Sequence, residues 1–85
     1  MTVTKSHSEE ILMKQLQNYH KLITDTWKYI KCFTENLPTT DTEWQRMIDA
    51  GNRVIEENGD TTFARAVVMA AAEEIDRISK FKQVI

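Results

Sequence analysis

The stretch LMKQLQNYHKLITDTWKYIKCFTENL, residues 12–37, decides the fold. Its repeating positions alternate at spacings of four and three residues, and all but one are apolar: Leu12, Leu16, Tyr19, Ile23, Thr26, Ile30, Phe33 and Leu37. A sustained repeat of about 3.5 residues is typical of a helix whose apolar seam packs against other helices. Ser6 and Glu9 fit a capping box at its start, and Pro38 ends it. We therefore predict a first helix over residues 7–36.

Two further helices follow from capping and turn signals. Thr40 and Glu43 form a second capping box, and Asn58-Gly59 supplies a turn that ends the helix. Asp60 or Thr61 can cap the next helix. The second helix repeats apolar or small residues at Trp44, Ile48, Gly51 and Ile55, and the third has a stripe at Ala64, Val67, Val68, Ala71, Ile75 and Ile78. These patterns predict helices over residues 41–58 and 61–82.

The composition limits the architecture to helices. The chain has 85 residues but only two glycines and one proline, which leaves room for about two connections. The connections at residues 37–40 and 58–61 are short, so neighbouring helices should be antiparallel. We expect one all-α domain over residues 1–85, an up-down-up three-helix bundle with a long first helix.

The predicted helices differ in length, which leaves part of the first one without a partner. At 1.5 Å per residue, the first helix would be about 45 Å long and the second about 27 Å. Residues 8–16 then extend past the other two helices. This segment carries the candidate association surface, which consists of Ile11, Leu12, Met13 and Leu16. The helix could break near Thr24–Thr26 and fold back, the segment could be frayed, or it could pack against a second copy or another protein.

Gly51 falls opposite Val68 when the second and third helices are paired about their turn. A glycine inside a helix costs about 1 kcal/mol relative to alanine, so it needs a reason. Either it is a hinge, or it lets the helices approach closely. The small residues opposite favour close packing.

Lysines recur every seven residues along the first helix, at Lys14, Lys21 and Lys28, opposite the apolar seam. This candidate basic stripe could contact phosphates or an acidic protein, or it could be an ordinary solvated face. The third helix opens with a single base, Arg65, and the second opens with Asp41 and Glu43, which repel phosphate. Both observations argue against a DNA-recognition helix.

No catalytic, metal or cofactor site is predicted. His7 and His20 lie thirteen residues apart, and neither has a further ligand four residues on, although Glu10 lies three residues after His7. Cys32 has no base beside it. Three pairs of acidic residues are adjacent in the chain: Glu9-Glu10, Glu56-Glu57 and Glu73-Glu74. Neighbours on a helix point about 100° apart, so the two carboxylates of a pair do not converge. A single cysteine and no apolar run near ~18 residues fit a cytoplasmic protein without a membrane segment. We therefore expect a protein that is not an enzyme.

Three segments, Trp44–Ile48, Phe63–Val67 and Glu73–Arg77, resemble small uncharacterised helical proteins of conjugative or phage-like mobile elements in Gram-positive bacteria. The resemblance covers residues 41–79 and implies an accessory, non-catalytic role. Taken with the unpartnered apolar segment, it favours a protein that acts through protein–protein association, as a homodimer or with a protein partner. The alternative is a nucleic-acid-associated regulator that uses the basic stripe.

Overall fold

The computed structural model describes the backbone of residues 2–84 and the side chains of residues 9–82. It contains three helices, α1 (Thr2–Glu35), α2 (Asp41–Glu57) and α3 (Thr62–Val84), and no strand within residues 2–84. Each helix packs against the other two. The Tyr29 hydroxyl contacts Met47 in α2, whereas Tyr19 contacts Phe63 in α3. The predicted all-α three-helix bundle with a long first helix is confirmed.

Helix α1 has no break over the residues whose side chains are described. The predicted capping box depends on the Ser6 side chain, which lies outside the described residues. The helix also continues through Thr24–Thr26, where Thr26 donates a hydrogen bond from Oγ1 to the Leu22 carbonyl at 2.7 Å. The alternative in which the early segment folds back is therefore wrong.

The two turns use the predicted capping residues. Thr40 Oγ1 accepts a hydrogen bond from the Glu43 amide at 3.1 Å, although the Glu43 carboxylate accepts from the amide of Thr39 rather than of Thr40. Thr61 Oγ1 accepts from the amide of Ala64 at 3.0 Å and so caps α3. Gly59 takes a left-handed φ of 83°, which a residue without a Cβ adopts at no steric cost.

The core lies between the three helices, and the second half of the predicted seam of α1 faces it: Thr26 is buried, and Ile30, Phe33 and Leu37 pack against the core. The buried apolar residues are Leu22, Tyr29, Met47, Ala64, Val68, Ala71 and Ile75. In α1, Leu22 and Tyr29 each precede a seam position, while the seam residue Ile23 is 53% exposed. Ile48 of α2, also expected to pack, is 48% exposed. The first half of the predicted seam, from Leu12 to Ile23, is therefore exposed rather than buried.

Gly51 leaves room for a close contact between α1 and α2. The Tyr29 ring lies against the backbone of α2 and its hydroxyl donates a hydrogen bond to the Met47 carbonyl at 3.0 Å. A Cβ at Gly51 would come within 3.0 Å of the Tyr29 Oη atom and 3.3 Å of Val68 Cγ1. Gly51 therefore makes room for both neighbours. The prediction of close packing opposite Val68 is confirmed, and Tyr29 is the contact that the sequence reasoning missed.

Candidate association surface

The first part of α1 extends past the other two helices. Every side chain from residue 9 to residue 21, a segment we call the overhang, is exposed, and burial begins at Leu22. The exposed fractions of the four predicted residues are 48% for Ile11, 57% for Leu12, 57% for Met13 and 54% for Leu16. These side chains thus lack an apolar cover within the described chain, as expected from the helix lengths.

The exposed apolar surface does not stop at Leu16. It continues on the same face of α1 through Tyr19, Ile23 and Trp27, which are 49%, 53% and 60% exposed. Five residues thus follow one another along the face, with Ile11 and Met13 on either side of it. We call these seven residues the apolar strip. Sequence reasoning placed Tyr19 and Ile23 in the buried seam and so missed the second half of the strip.

The last two residues of the strip, Ile23 and Trp27, form part of one wall of a groove between α1 and α3. The α1–α3 groove is lined almost entirely by apolar side chains: Ile23, Thr26, Trp27, Ile30, Val67, Ala70, Ala71 and Glu74. Its lining from α3 includes two alanines, so another helix could approach closely. Tyr19 and Phe63 meet edge to face, with ring centroids 5.5 Å apart, where the overhang passes into the groove.

One charged group, Glu74, lies at the rim of this groove. Arg77 donates hydrogen bonds from Nε and Nη2 to its carboxylate. The bonds from Arg77 lower the pKa of Glu74, so the carboxylate is ionised at neutral pH. The groove therefore offers an apolar interior with a fixed negative charge at its edge, as a helix-docking surface with a polar rim does.

The basic stripe is partly used within the molecule. Lys21 donates from Nζ to Asp25 Oδ2 at 2.8 Å and to the Glu57 carbonyl at 3.3 Å, at the C-terminal end of α2. Asn58 Nδ2 donates to the same Asp25 oxygen at 3.1 Å. The bonds from Lys21 and then Asn58 lower the pKa of Asp25. Lys14 and Lys28 are exposed and, among residues 9–82, form no ion pair.

The remaining candidates are not brought together into a site. His20 and Cys32 are exposed, and His7 lies outside the described side chains. Within the described residues, no three His, Cys, Asp or Glu side chains cluster as metal ligands would. Burial raises the pKa of Tyr29, whose hydroxyl remains a donor to the backbone of α2. None of the helices, over the part of the chain described, combines the length and apolar character that crossing a membrane needs.

The chain and its fold were compared with known proteins. A scan of protein-family models, a search of curated proteins and a search of solved structures each gave no match to this chain.

Proposed function

We propose that this protein acts through protein–protein association and that the apolar strip of α1 is its docking surface. The observation that carries the proposal is the strip itself: seven large apolar side chains, each 48–60% exposed, on one continuous helix. Scattered exposed apolar residues are ordinary on protein surfaces, but contiguous ones indicate interaction sites.

The free energy available from covering the strip is large enough to drive association. Complete burial of a large apolar side chain is worth about 1.5–3 kcal/mol, so covering the exposed half of each yields about 1 kcal/mol. Seven residues then contribute about 7 kcal/mol per copy. Two copies would contribute about twice that, which is comparable with the ~4–15 kcal/mol that association costs in lost freedom.

Solution mass tests the proposal. We expect light scattering of the wild type to give a mass above 9.9 kDa that rises with concentration. The double substitution Leu12→Glu with Leu16→Glu should return the mass to that of the monomer and leave the helical circular dichroism unchanged. The matched control is Lys14→Gln with Gln17→Glu, which makes the same charge change away from the strip and should associate like the wild type.

Two results would count against the proposal. A wild type that stays monomeric at millimolar concentration would exclude self-association. Loss of helical signal in the Leu12 and Leu16 variant would mean that these side chains are part of the folded core. The resemblance to mobile-element proteins adds an accessory role, and a cytoplasmic location is part of the same proposal.

The alternative function, nucleic-acid association through Lys14, Lys21 and Lys28, has less support. Lys21 is held by Asp25 and by the end of α2, so two lysines of the stripe are left to contact phosphates. Binding to duplex DNA that weakens steeply with salt would favour this alternative. Indifference to DNA at low salt would remove it.

A further inference from the structure

We propose that the partner on the apolar strip is a second copy of this chain, aligned antiparallel, so that the overhang of each copy fills the α1–α3 groove of the other. This inference rests on the proposed function and specifies its partner. It follows from the strip having two unlike halves, an exposed ridge on the overhang and a groove beside α3.

A two-fold axis allows each copy to cover its ridge and have its groove filled in the same contact. Each copy carries one ridge and one groove at opposite ends of the same strip, so a half-turn about an axis near residue 21 places each ridge in the other groove. Residues whose numbers add to 42 then face each other across the pair, and the 4-3 spacing keeps them in register: Leu12 over Ile30, Leu16 over Thr26 and Tyr19 over Ile23. A partner of unrelated sequence would cover the ridge or the groove without this reciprocity.

The side chains at the contact are complementary in size. Leu12 and Leu16 would enter a groove lined by the small residues Thr26, Ala70 and Ala71. Met13 falls on the side of Trp27, and Ile11 falls on the side of α3. All four residues of the candidate association surface therefore come to lie against the partner copy.

The charges at the rim are complementary as well. Glu9 and Lys31 are both exposed and lie on the same side of the strip, near its opposite ends. In the antiparallel pair, Glu9 of one copy comes beside Lys31 of its partner, and the symmetry creates this contact twice. Within one copy they are 22 positions apart along α1, about 33 Å at 1.5 Å per residue, so in a parallel pair they would not meet.

The area of the strip fits a dimer interface. A large apolar side chain that is about half exposed presents roughly 100 Å², so seven of them present roughly 700 Å² per copy. A standard stable interface buries about 800 Å² per partner. The strip alone thus supplies most of the required area.

The first experiment separates the groove from the overhang. Ala70→Arg places a long charged side chain in the groove without touching the overhang, and Met69→Arg places the same charge on the adjacent, exposed residue away from it. By analytical ultracentrifugation, we expect Ala70→Arg and the Leu12 and Leu16 double variant each to raise the dimer dissociation constant about 100-fold or more. Met69→Arg should leave it unchanged.

The second experiment tests the orientation. Glu9→Lys and Lys31→Glu each replace two attractions in the dimer by two repulsions, and each should weaken it about tenfold. The double reversal restores opposite charges and should recover wild-type affinity. Failure of this rescue, or single reversals without effect, would overturn the antiparallel register.

The outcomes distinguish this inference from the proposed function. If the Leu12 and Leu16 variant dissociates but Ala70→Arg does not, the overhang associates with something other than the groove, and the inference fails alone. If the dimer survives the Leu12 and Leu16 substitutions, both fail. A monomeric wild type likewise overturns the antiparallel dimer.

Discussion

The contact between Tyr29 and Gly51 leads to a quantitative prediction about how α1 is held against α2. Gly51→Ala would place a Cβ atom 3.0 Å from Tyr29 Oη, closer than carbon and oxygen normally approach. Helix propensity alone favours alanine by about 1 kcal/mol. Relief of the contact must shift the phenol and weaken its hydrogen bond to Met47, worth about 1 kcal/mol, and overpacking costs about 1–3 kcal/mol more. We therefore expect a net destabilisation of about 1–3 kcal/mol.

A double-mutant cycle isolates the cause. Tyr29→Phe removes the Oη atom and should cost about 1 kcal/mol for the lost hydrogen bond. In that background the closest contact of the new Cβ atom is gone, so Gly51→Ala should be nearly neutral. The coupling energy between the two substitutions should then be at least about 1 kcal/mol.

Urea unfolding followed by circular dichroism measures these free energies, at one low protein concentration so that association contributes equally. Asn52→Ala is the matched control, because Asn52 is the exposed neighbour of Gly51 in α2 and reports helix propensity alone. Our reasoning would be refuted if Gly51→Ala stabilised the protein as Asn52→Ala does. Equal effects of Gly51→Ala with and without the Tyr29 hydroxyl would refute it too.

Three further predictions concern acid stability, the polar seam position and the two tryptophans. Lys21 lowers the pKa of Asp25, so Asp25 stabilises the fold above its unfolded pKa of about 4, and this stabilisation is lost as the pH falls through its folded pKa. The free energies of unfolding of wild type and Asp25→Asn in urea should therefore differ at neutral pH and converge in acid. Thr26→Val should be neutral or stabilising by up to about 1 kcal/mol in thermal unfolding, since the hydroxyl bonds only to a carbonyl of its own helix. At a protein concentration low enough to keep the chain monomeric, acrylamide should quench Trp27 in Trp44→Phe more strongly than Trp44 in Trp27→Phe, because Trp27 is 60% exposed and Trp44 packs on the core. Equal quenching would contradict this arrangement.

The sequence was sufficient for the fold because its signals are local. Thr40, Thr61 and Gly59 each act within a few residues of their own position, and they marked both turns correctly. The unequal spacing of those turns then predicted the exposure of Leu12 and Leu16, since helix length follows directly from residue count.

The repeat alone did not predict which residues of α1 face the core. A 3.5-residue pattern identifies an apolar face but does not say which neighbour covers it, and here four of its eight positions belong to the exposed strip and four to the core side. Part of the signal lay in another helix: Gly51 leaves room for the Tyr29 ring, and Tyr29 is buried while Ile23 and Trp27 are exposed. Pairing α1 and α2 about Pro38 places Tyr29 opposite Met47 but Asp25 opposite Gly51, so the pairing alone does not identify Tyr29 as the residue that contacts the glycine.

The long first helix also determines how the molecule moves through water. The protein measures 62 × 22 × 18 Å, and its radius of gyration is 16.9 Å, whereas a compact chain of this length has about 12 Å. A single copy is thus a rod that will elute early from a sizing column and mimic a heavier particle. The proposed antiparallel pair would double the mass but add little length, because the two rods would overlap almost completely. Pairing should make the particle rounder, so its frictional ratio in sedimentation should fall as its mass rises.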